Sequence, residues 1–496
     1  MSNNTATWRT GLISLSLLGM LLPEASALGE VDQKAAQLIM LHRYQSAIEQ
    51  LTPTLNDSGN EQSKLLMGTV FYKSAELHQE LAAASIKIIP QYLGKLGQEK
   101  GKQRSQYVDL FLGIALLEQD KIKAALEKFK RVLTAKKVSV KYFDIAKAYQ
   151  SLALYKKGDV AKAKSTLKKI KSAEPEVQAV LAGIYHRMGL SEYKPAAMMD
   201  KIVAQFNATA VTPLVLENAL TIYATRDSFT KGLQLIKRDS VSSPIYVEQI
   251  GADKSLAFYS LVLPRHIANI HYFASLHYLE QSRKSSAFRG IADYYLAAAY
   301  LTFGELSKAG AAVAEARNGG SLATAYDNRA EIMQAVLRHA ASKKPAEKKQ
   351  IVEVGRRYKG KPELMAVLLL HCADMSLNCE SVLDDAKSTA ERSQSERFRG
   401  LHSALGFYYL QQGDSALALS YMETGRDKSM KNKMETNDPL MLVRLAQLYL
   451  AEKSFSENLE IYFELGKEYP VVRQIQEAVQ GVYGMEFRSA GDVKIF

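Results

Sequence analysis

The sequence predicts an all-α solenoid of helix-turn-helix repeats, arranged in two arms. Three observations predict it: a phrase of small and bulky residues recurs at constant offsets, prolines are scattered singly along the chain, and strand signals are scarce. In its full form, a small residue is followed three positions later by an aromatic or leucine, seven later by glycine, twelve later by alanine and sixteen later by a bulky residue.

The copies carry the argument. Gly113, Leu116, Ala125 and Phe129 form the first, and Ser151, Leu154, Gly158, Ala163 and Leu167 the second, closed by Pro175. Ala297, Tyr300, Gly304, Ala309 and Val313 follow, then Gly406, Tyr409, Gly413, Ala418 and Met422. The last copy is Ala446, Tyr449, Asn458 and Tyr462, before Pro470, with asparagine where alanine is expected. Two antiparallel helices of about a dozen residues pack tightly only where small side chains let the backbones approach, while bulky ones fill the gap to the next pair. Glycine between the helices allows a left-handed turn, and proline ends the unit.

Element by element, residues 1–27 read as a secretory signal peptide: Arg9, an apolar run from Gly11 to Leu22, Pro23, then Ala25-Ser26-Ala27 before the cut. That run is short of the roughly 20 residues a spanning helix needs. No transmembrane segment is expected after cleavage, and no cysteine near the cut could carry a lipid. Residues 28–240 are predicted as the first set of repeats, with degenerate copies at 38–55, 65–77, 182–193 and 219–236. Residues 241–290 are an irregular helical connection, with "SSPIYVEQIG" as a strand candidate and a histidine- and tyrosine-rich helix outside the repeat. Residues 291–484 are the second set, with a solvated connection at 339–350, and 485–496 are a tail that includes a second strand candidate, "RSAGDVKIF".

Charge is lopsided. Of 64 Lys and Arg and 52 Asp and Glu, the signal peptide removes one of each, so the mature chain stays at +12. From Lys95 to Lys171 there are 20 basic against 7 acidic residues, leaving 43 against 44 elsewhere. The candidate basic face is Lys128, Lys130, Arg131, Lys136, Lys137, Lys156, Lys157, Lys162, Lys164, Lys168, Lys169 and Lys171, mostly on second helices. Its plain reading is a solubilising helix surface; its sharper one is contact with an anionic partner, whether lipid head groups, an acidic exopolysaccharide or an acidic protein. Nucleic acid is not expected, because the chain is exported and these helices lack interleaved aromatics.

Two cysteines, Cys372 and Cys379, are read as a disulfide, as an oxidising compartment favours. On one unbroken helix, residues seven apart lie about 10.5 Å apart along the axis, beyond the reach of a disulfide. The bond therefore requires a break near "MSLN", where Asn378 allows one. The alternative, a metal or redox site with His371 and Asp374, suffers from two ligands being sequence neighbours. None of the nine histidines stands four from another, and no metalloprotease, nucleophile-elbow or phosphate-loop motif occurs. His266, His271 and His277 read as buried or partner-facing. No enzyme, metal or cofactor is expected.

The phrase at Gly113, Ser151, Ala297, Gly406 and Ala446 resembles the tetratricopeptide repeat, over about a third of the chain. No copy has that family's early tryptophan. The resemblance implies that first helices line an inner groove. There Tyr107, Leu110, Ile114, Ile145, Ala148 and Leu152 stand where a peptide-carboxylate clamp would carry polar groups. Some exported lytic transglycosylases have a similar superhelix, but Glu380-Ser381 is not followed by their Gly-Leu-Met-Gln phrase. The resemblance thus implies a periplasmic scaffold, peripheral to the outer membrane, whose groove and edges hold envelope proteins by protein-protein contact through apolar and aromatic groove residues, with exopolysaccharide export favoured by the basic region. The alternatives are a cell-wall, lipid-A or polysaccharide binding module, or an adaptor for outer-membrane protein, pilus or energised transport machinery.

Overall fold

Prolines open most of the helices they touch. Pro175, Pro195, Pro213, Pro362, Pro439 and Pro470 each stand at the first helical turn, where the missing N–H costs nothing and the ring presets φ. The proline after a repeat is thus the start of the next helix. The computed structural model describes residues 30–56, 60–96, 106–135, 138–206, 212–239, 253–319, 322–342, 345–392, 399–426, 437–489 and 492–495. The predicted signal peptide (1–27) and the strand candidate at 242–251 lie outside the described residues.

Two compact units are present, interleaved in sequence rather than consecutive: Met1–Glu80 with Ala274–Ile461, and Leu81–Phe273 with Tyr462–Phe496. The second unit holds four helix pairs: α4 (Gln106–Glu118) with α5 (Ile122–Thr134), α6 (Val140–Lys157) with α7 (Val160–Leu167), α8 (Pro175–Arg187) with α9 (Pro195–Ala204), and α10 (Pro213–Tyr223) with α11 (Phe229–Asp239). The first helices stack in series, α4 on α6, α6 on α8 and α8 on α10. The other unit begins with α1 (Glu30–Met40) and α2 (Tyr44–Leu51). It continues with α13 (Arg289–Thr302), α14 (Leu306–Asn318), α15 (Thr324–Ser342), α16 (Pro345–Arg357), α17 (Pro362–Asp374), α18 (Glu380–Arg392), α19 (Arg399–Gln412), α20 (Ser415–Gly425) and α21 (Pro439–Ala451). Here α13, α15, α17 and α19 stack in series. The described residues are thus an all-α array of tetratricopeptide-like helix pairs. The segment 339–350 is largely the end of α15 and the start of α16 rather than a solvated connection.

The offsets of the sequence phrase are contact distances. A Cβ built on Gly406 would lie 2.5 Å from Met422 Cγ and 3.1 Å from the Ala418 carbonyl, and one on Gly113 would lie 2.6 Å from Phe129 Cε1. Ser151 Oγ donates to the Ala163 carbonyl at 2.6 Å. Asn458, in place of alanine, is fully buried and donates to the Ala446 carbonyl, also at 2.6 Å. The polar residue is tolerated because its amide finds a partner across the same twelve-residue contact.

At the seventh position all five copies are left-handed: Asp120, Gly158, Gly304, Gly413 and Lys453 have φ of 56°, 100°, 79°, 85° and 61°. The turn geometry is common to all, and glycine merely adopts it without strain. A Cβ on Gly158 would meet nothing within 4 Å. Gly158→Ala should therefore cost about 1–2 kcal/mol through the backbone alone, read from urea unfolding. No change in stability would show that the turn does not need the left-handed conformation.

Two helices break the pair rule. α3 (Glu61–Leu96) and α12 (Asp253–Ser282) run 36 and 30 residues, and each has a proline inside it, Pro90 and Pro264. The segment 65–77, read from sequence as a degenerate repeat, is part of this unbroken α3; no turn residue interrupts its apolar face between Gly68 and Pro90. After α22 (Phe455–Leu465) and α23 (Pro470–Tyr483), the chain ends in an antiparallel hairpin, β1 (Met485–Ser489) and β2 (Asp492–Ile495), where a tail was expected.

Candidate functional site

The groove that the resemblance assigns to partners is built by the first helices, and in both units the chain itself occupies it. Leu110, Ile114, Ile145, Ala148 and Leu152 are at most 1 % exposed. These residues line no open channel.

In the unit containing α4–α11, the groove holds α12. Arg265 of α12 pairs with Glu118, the last residue of α4, at 2.7 Å, and His266 Nε2 lies 3.7 Å from Glu217 of α10. Arg187, ending α8, sits between both carboxylates: it pairs with Glu118 at 2.6 Å, with Glu217 directly, and donates to Thr221 at 3.3 Å. Tyr149 of α6 donates to Glu217 at 3.0 Å. Ile270 of α12 enters the space left by Gly232 of α11, where a Cβ would be 2.1 Å from its Cδ1. A glutamate at a helix C-terminus faces the negative end of the dipole, so Glu118 requires these two guanidinium groups. Burial opposes its ionisation, but Arg187 and Arg265 outweigh burial and hold its carboxyl down at about 2. The same competition, led by burial and won by Arg187, lowers Glu217.

In the other unit, the groove holds the first part of α3. Tyr72 donates to Glu76 at 2.7 Å, Lys73 pairs with Glu76 at 3.0 Å, and Thr302 of α13 donates to Glu76 at 3.3 Å. Glu80 pairs at 2.8 Å with Arg444 of α21, whose guanidinium lies 4.2 Å over the Phe407 ring of α19. Asp438 caps α21 by accepting from the Leu440 N–H at 2.9 Å, yet burial raises its carboxyl to about 7 despite the partial compensation from Lys73. A cavity of about 180 Å³ remains beside Arg444, lined by Ala373, Asp374, Phe407, Leu410 and Gln411.

Buried ion pairs of this kind discriminate register rather than drive folding, since desolvation offsets most of their attraction. They set where along the groove each long helix stops. The sequence signal for them was the helix in 253–282 that did not fit the repeat, together with charged residues inside an apolar run such as Tyr72-Lys73 and Glu76. Which groove these would enter could not be read from spacing.

The predicted basic residues lie elsewhere. Lys136 and Lys137 are outside the described residues. Lys128 is half-buried against Asp109 at 3.3 Å, Lys156 pairs with Asp120 at 2.7 Å, and Lys157 with Asp159 at 3.3 Å. Lys130, Arg131, Lys162, Lys164, Lys168, Lys169 and Lys171 are exposed and form no ion pair among the described residues. They project from α5, from α7 and from the segment following α7, while the buried faces of those helices are Ala125, Phe129 and Val132, then Ala163 and Leu167.

Cys372 and Cys379 are joined, with Cα atoms 6.3 Å apart. The helix break that this needs falls between α17 and α18, where Ser376 takes a φ of 51°. Both sulfurs are fully buried and Tyr408 accepts from the Cys379 N–H at 3.3 Å. Cys372→Ser with Cys379→Ser should lower stability by about 2 kcal/mol, near the low end of disulfide contributions for so short a loop, as read from urea midpoints. An unchanged midpoint would show the bond to be idle. His266 and His271 are buried and His277 is exposed.

No helix among the described residues is long and apolar enough to cross a membrane. No protein-family description matches the chain, and no curated protein matches it. Solved structures similar to it include the APC/C hetero-tetramer Cut9–Hcn1, at 14% identity and a TM-score of 0.26, covering 95% of this chain and 99% of that one. Yeast Tom70 is 12% identical with a TM-score of 0.30, covering 91% and 93%. The human IFIT1 dimer with PPP-AAAA is 13% identical with a TM-score of 0.25, covering 80% and 94%. Likeness at this level says nothing about ligands or partners; the fold rests on the chain's own helix pairs, which form an α-solenoid of tetratricopeptide-like repeats.

Proposed function

We propose that this chain is an exported scaffold of a Gram-negative cell envelope, holding partner proteins on its outer surfaces and edges, with exopolysaccharide export as the favoured setting. The observation that carries this reading is the division of surfaces: the inner grooves are filled by α3 and α12, while seven cations that form no ion pair among the described residues project outward from one pair of repeats. A charged outer face of this kind raises encounter rates with an acidic surface more than it adds affinity. The signal-like start supports export, and the absence of catalytic motifs supports a non-enzymatic role.

The test is in cells. Neutralising Lys156, Lys157, Lys168 and Lys169 should abolish polysaccharide export while leaving folding intact, because all four are exposed. Normal export by the folded variant would remove this setting. Filled grooves also favour a second reading, a module that binds cell wall, lipid A or polysaccharide without a protein client. Pull-down at low salt and at about 0.5 M salt separates the two, since purely electrostatic binding collapses as screening shortens to a few ångströms.

A further inference from the structure

On one pair of repeats, Arg131, Lys162, Lys164, Lys168, Lys169 and Lys171 are exposed and form no ion pair among the described residues, and bare apolar side chains stand beside them. We propose that the exposed surface formed by α5, α7 and the start of α6 docks on the anionic head groups of a lipid bilayer.

Two independent features meet there. The first is unpaired charge: Arg131 in the last turn of α5, Lys162 and Lys164 on α7, and Lys168, Lys169 and Lys171 just after it, all exposed. The second is apolar. Val140, the first residue of α6, is 71 % exposed, the highest value among large hydrophobic side chains of the described residues, and Val160, the first residue of α7, is 41 % exposed. Because α6 and α7 form an antiparallel pair, Val140 lies at the end of the pair where α7 finishes in Lys168 and Lys169. The last turn of α5, with Arg131, leads through a short connection to that same end.

The chemistry selects lipid over the other polyanions. Five of the six cations are lysines, point charges on flexible stems, with one guanidinium for bidentate pairing. No exposed aromatic ring stands on α5 or α7, where Phe129 is fully buried, and the half-buried rings of Tyr142 and Phe143 at the start of α6 are covered by Lys141 and Lys147. A linear acidic polysaccharide offers no apolar surface to the bare valines beside the charge. A bilayer surface does: each lysine near anionic head groups adds attraction, and small apolar side chains enter the head-group boundary. The proposal rests on export only for placing the protein next to a membrane.

Sedimentation of the purified full chain with vesicles tests it. Phosphatidylcholine vesicles containing phosphatidylglycerol should bind the protein at low salt, and pure phosphatidylcholine vesicles should not. Charge reversal at Lys162, Lys164, Lys168 and Lys169 should weaken binding at least about 100-fold, at about 1 kcal/mol per cation. Val140→Asn, which touches no charge, should weaken vesicle binding about three- to ten-fold while leaving adsorption to alginate unchanged. Equal binding by the charge-reversed protein overturns the proposal. So does wild-type binding to alginate without binding to anionic vesicles, which would assign the face to acidic polymers. Should charge reversal prevent folding, Val140→Asn and the salt dependence still decide: vesicle binding insensitive to both overturns it. No partner protein enters the assay, so its failure leaves the scaffold reading standing, and a failed pull-down of envelope proteins leaves this one standing.

Discussion

Replacing Arg187 by methionine is expected to destabilise the unit containing α4–α11 by about 3–5 kcal/mol, the range for stranding a buried charge. Arg187 stands between Glu118 and Glu217, and Glu217 is fully enclosed. Without the guanidinium, two carboxylates remain in the groove with Arg265 beside Glu118, and with His266 and the Tyr149 hydroxyl beside Glu217. Most of the loss is thus the cost of an uncompensated buried charge rather than the worth of the pair. A double variant discriminates: Arg187→Met combined with Glu217→Gln should recover part of the stability, because charge and countercharge leave together. Additive losses in urea unfolding would show that the network is not coupled.

The same network predicts acid sensitivity. Glu118 titrates at about 2 in the folded chain against 4.5 when unperturbed, so its folded value is depressed. Its contribution is fully present above about pH 4.5 and is lost as pH falls through about 2. The shift corresponds to roughly 3 kcal/mol at 1.36 kcal/mol per pH unit.

Asp438 should act in the opposite sense in the other unit. Burial raises it from 3.8 to about 7, so the folded state holds a proton that the unfolded state releases. Stability is then greatest below about pH 4 and falls as pH rises from about 4 to about 7, by on the order of 4 kcal/mol. Glu76, raised chiefly by burial, slopes the same way. Asp438→Asn keeps an acceptor for the Leu440 N–H and removes the charge. It should flatten most of the fall between about pH 4 and pH 7, leaving the part that belongs to Glu76. Urea midpoints across that range measure this, and a wild-type slope in the Asp438→Asn protein would refute the burial of a titrating carboxyl at this position.

The pair geometry was legible before any coordinates. Ala163 against Ser151, Ala418 against Gly406 and Asn458 against Ala446 are twelve apart because two antiparallel helices joined by a short turn bring residues of that separation to their closest approach. Asp120 and Lys453 mark the limit of that reading. Their turns are as left-handed as those of Gly158 and Gly413, but the sequence carries no glycine to announce it. The outward placement of Lys130, Lys162 and Lys164 was legible as well, since alternation with Ala125, Ala163 and Leu167 turns them to water.

The chain's order of amino acids therefore determined by itself what is local in character: helix pairs, their turns, the proline starts and the side of each second helix that meets water. These follow from contacts no more than some sixteen residues apart. Only the tertiary structure decided what fills the grooves. Arg265 meets Glu118 across 147 positions and Arg444 meets Glu80 across 364. No periodicity encodes such pairings, because they depend on how helix pairs stack within each unit and on which long helix the resulting groove admits. That physical fact is what fills the inside of the array with the chain's own helices.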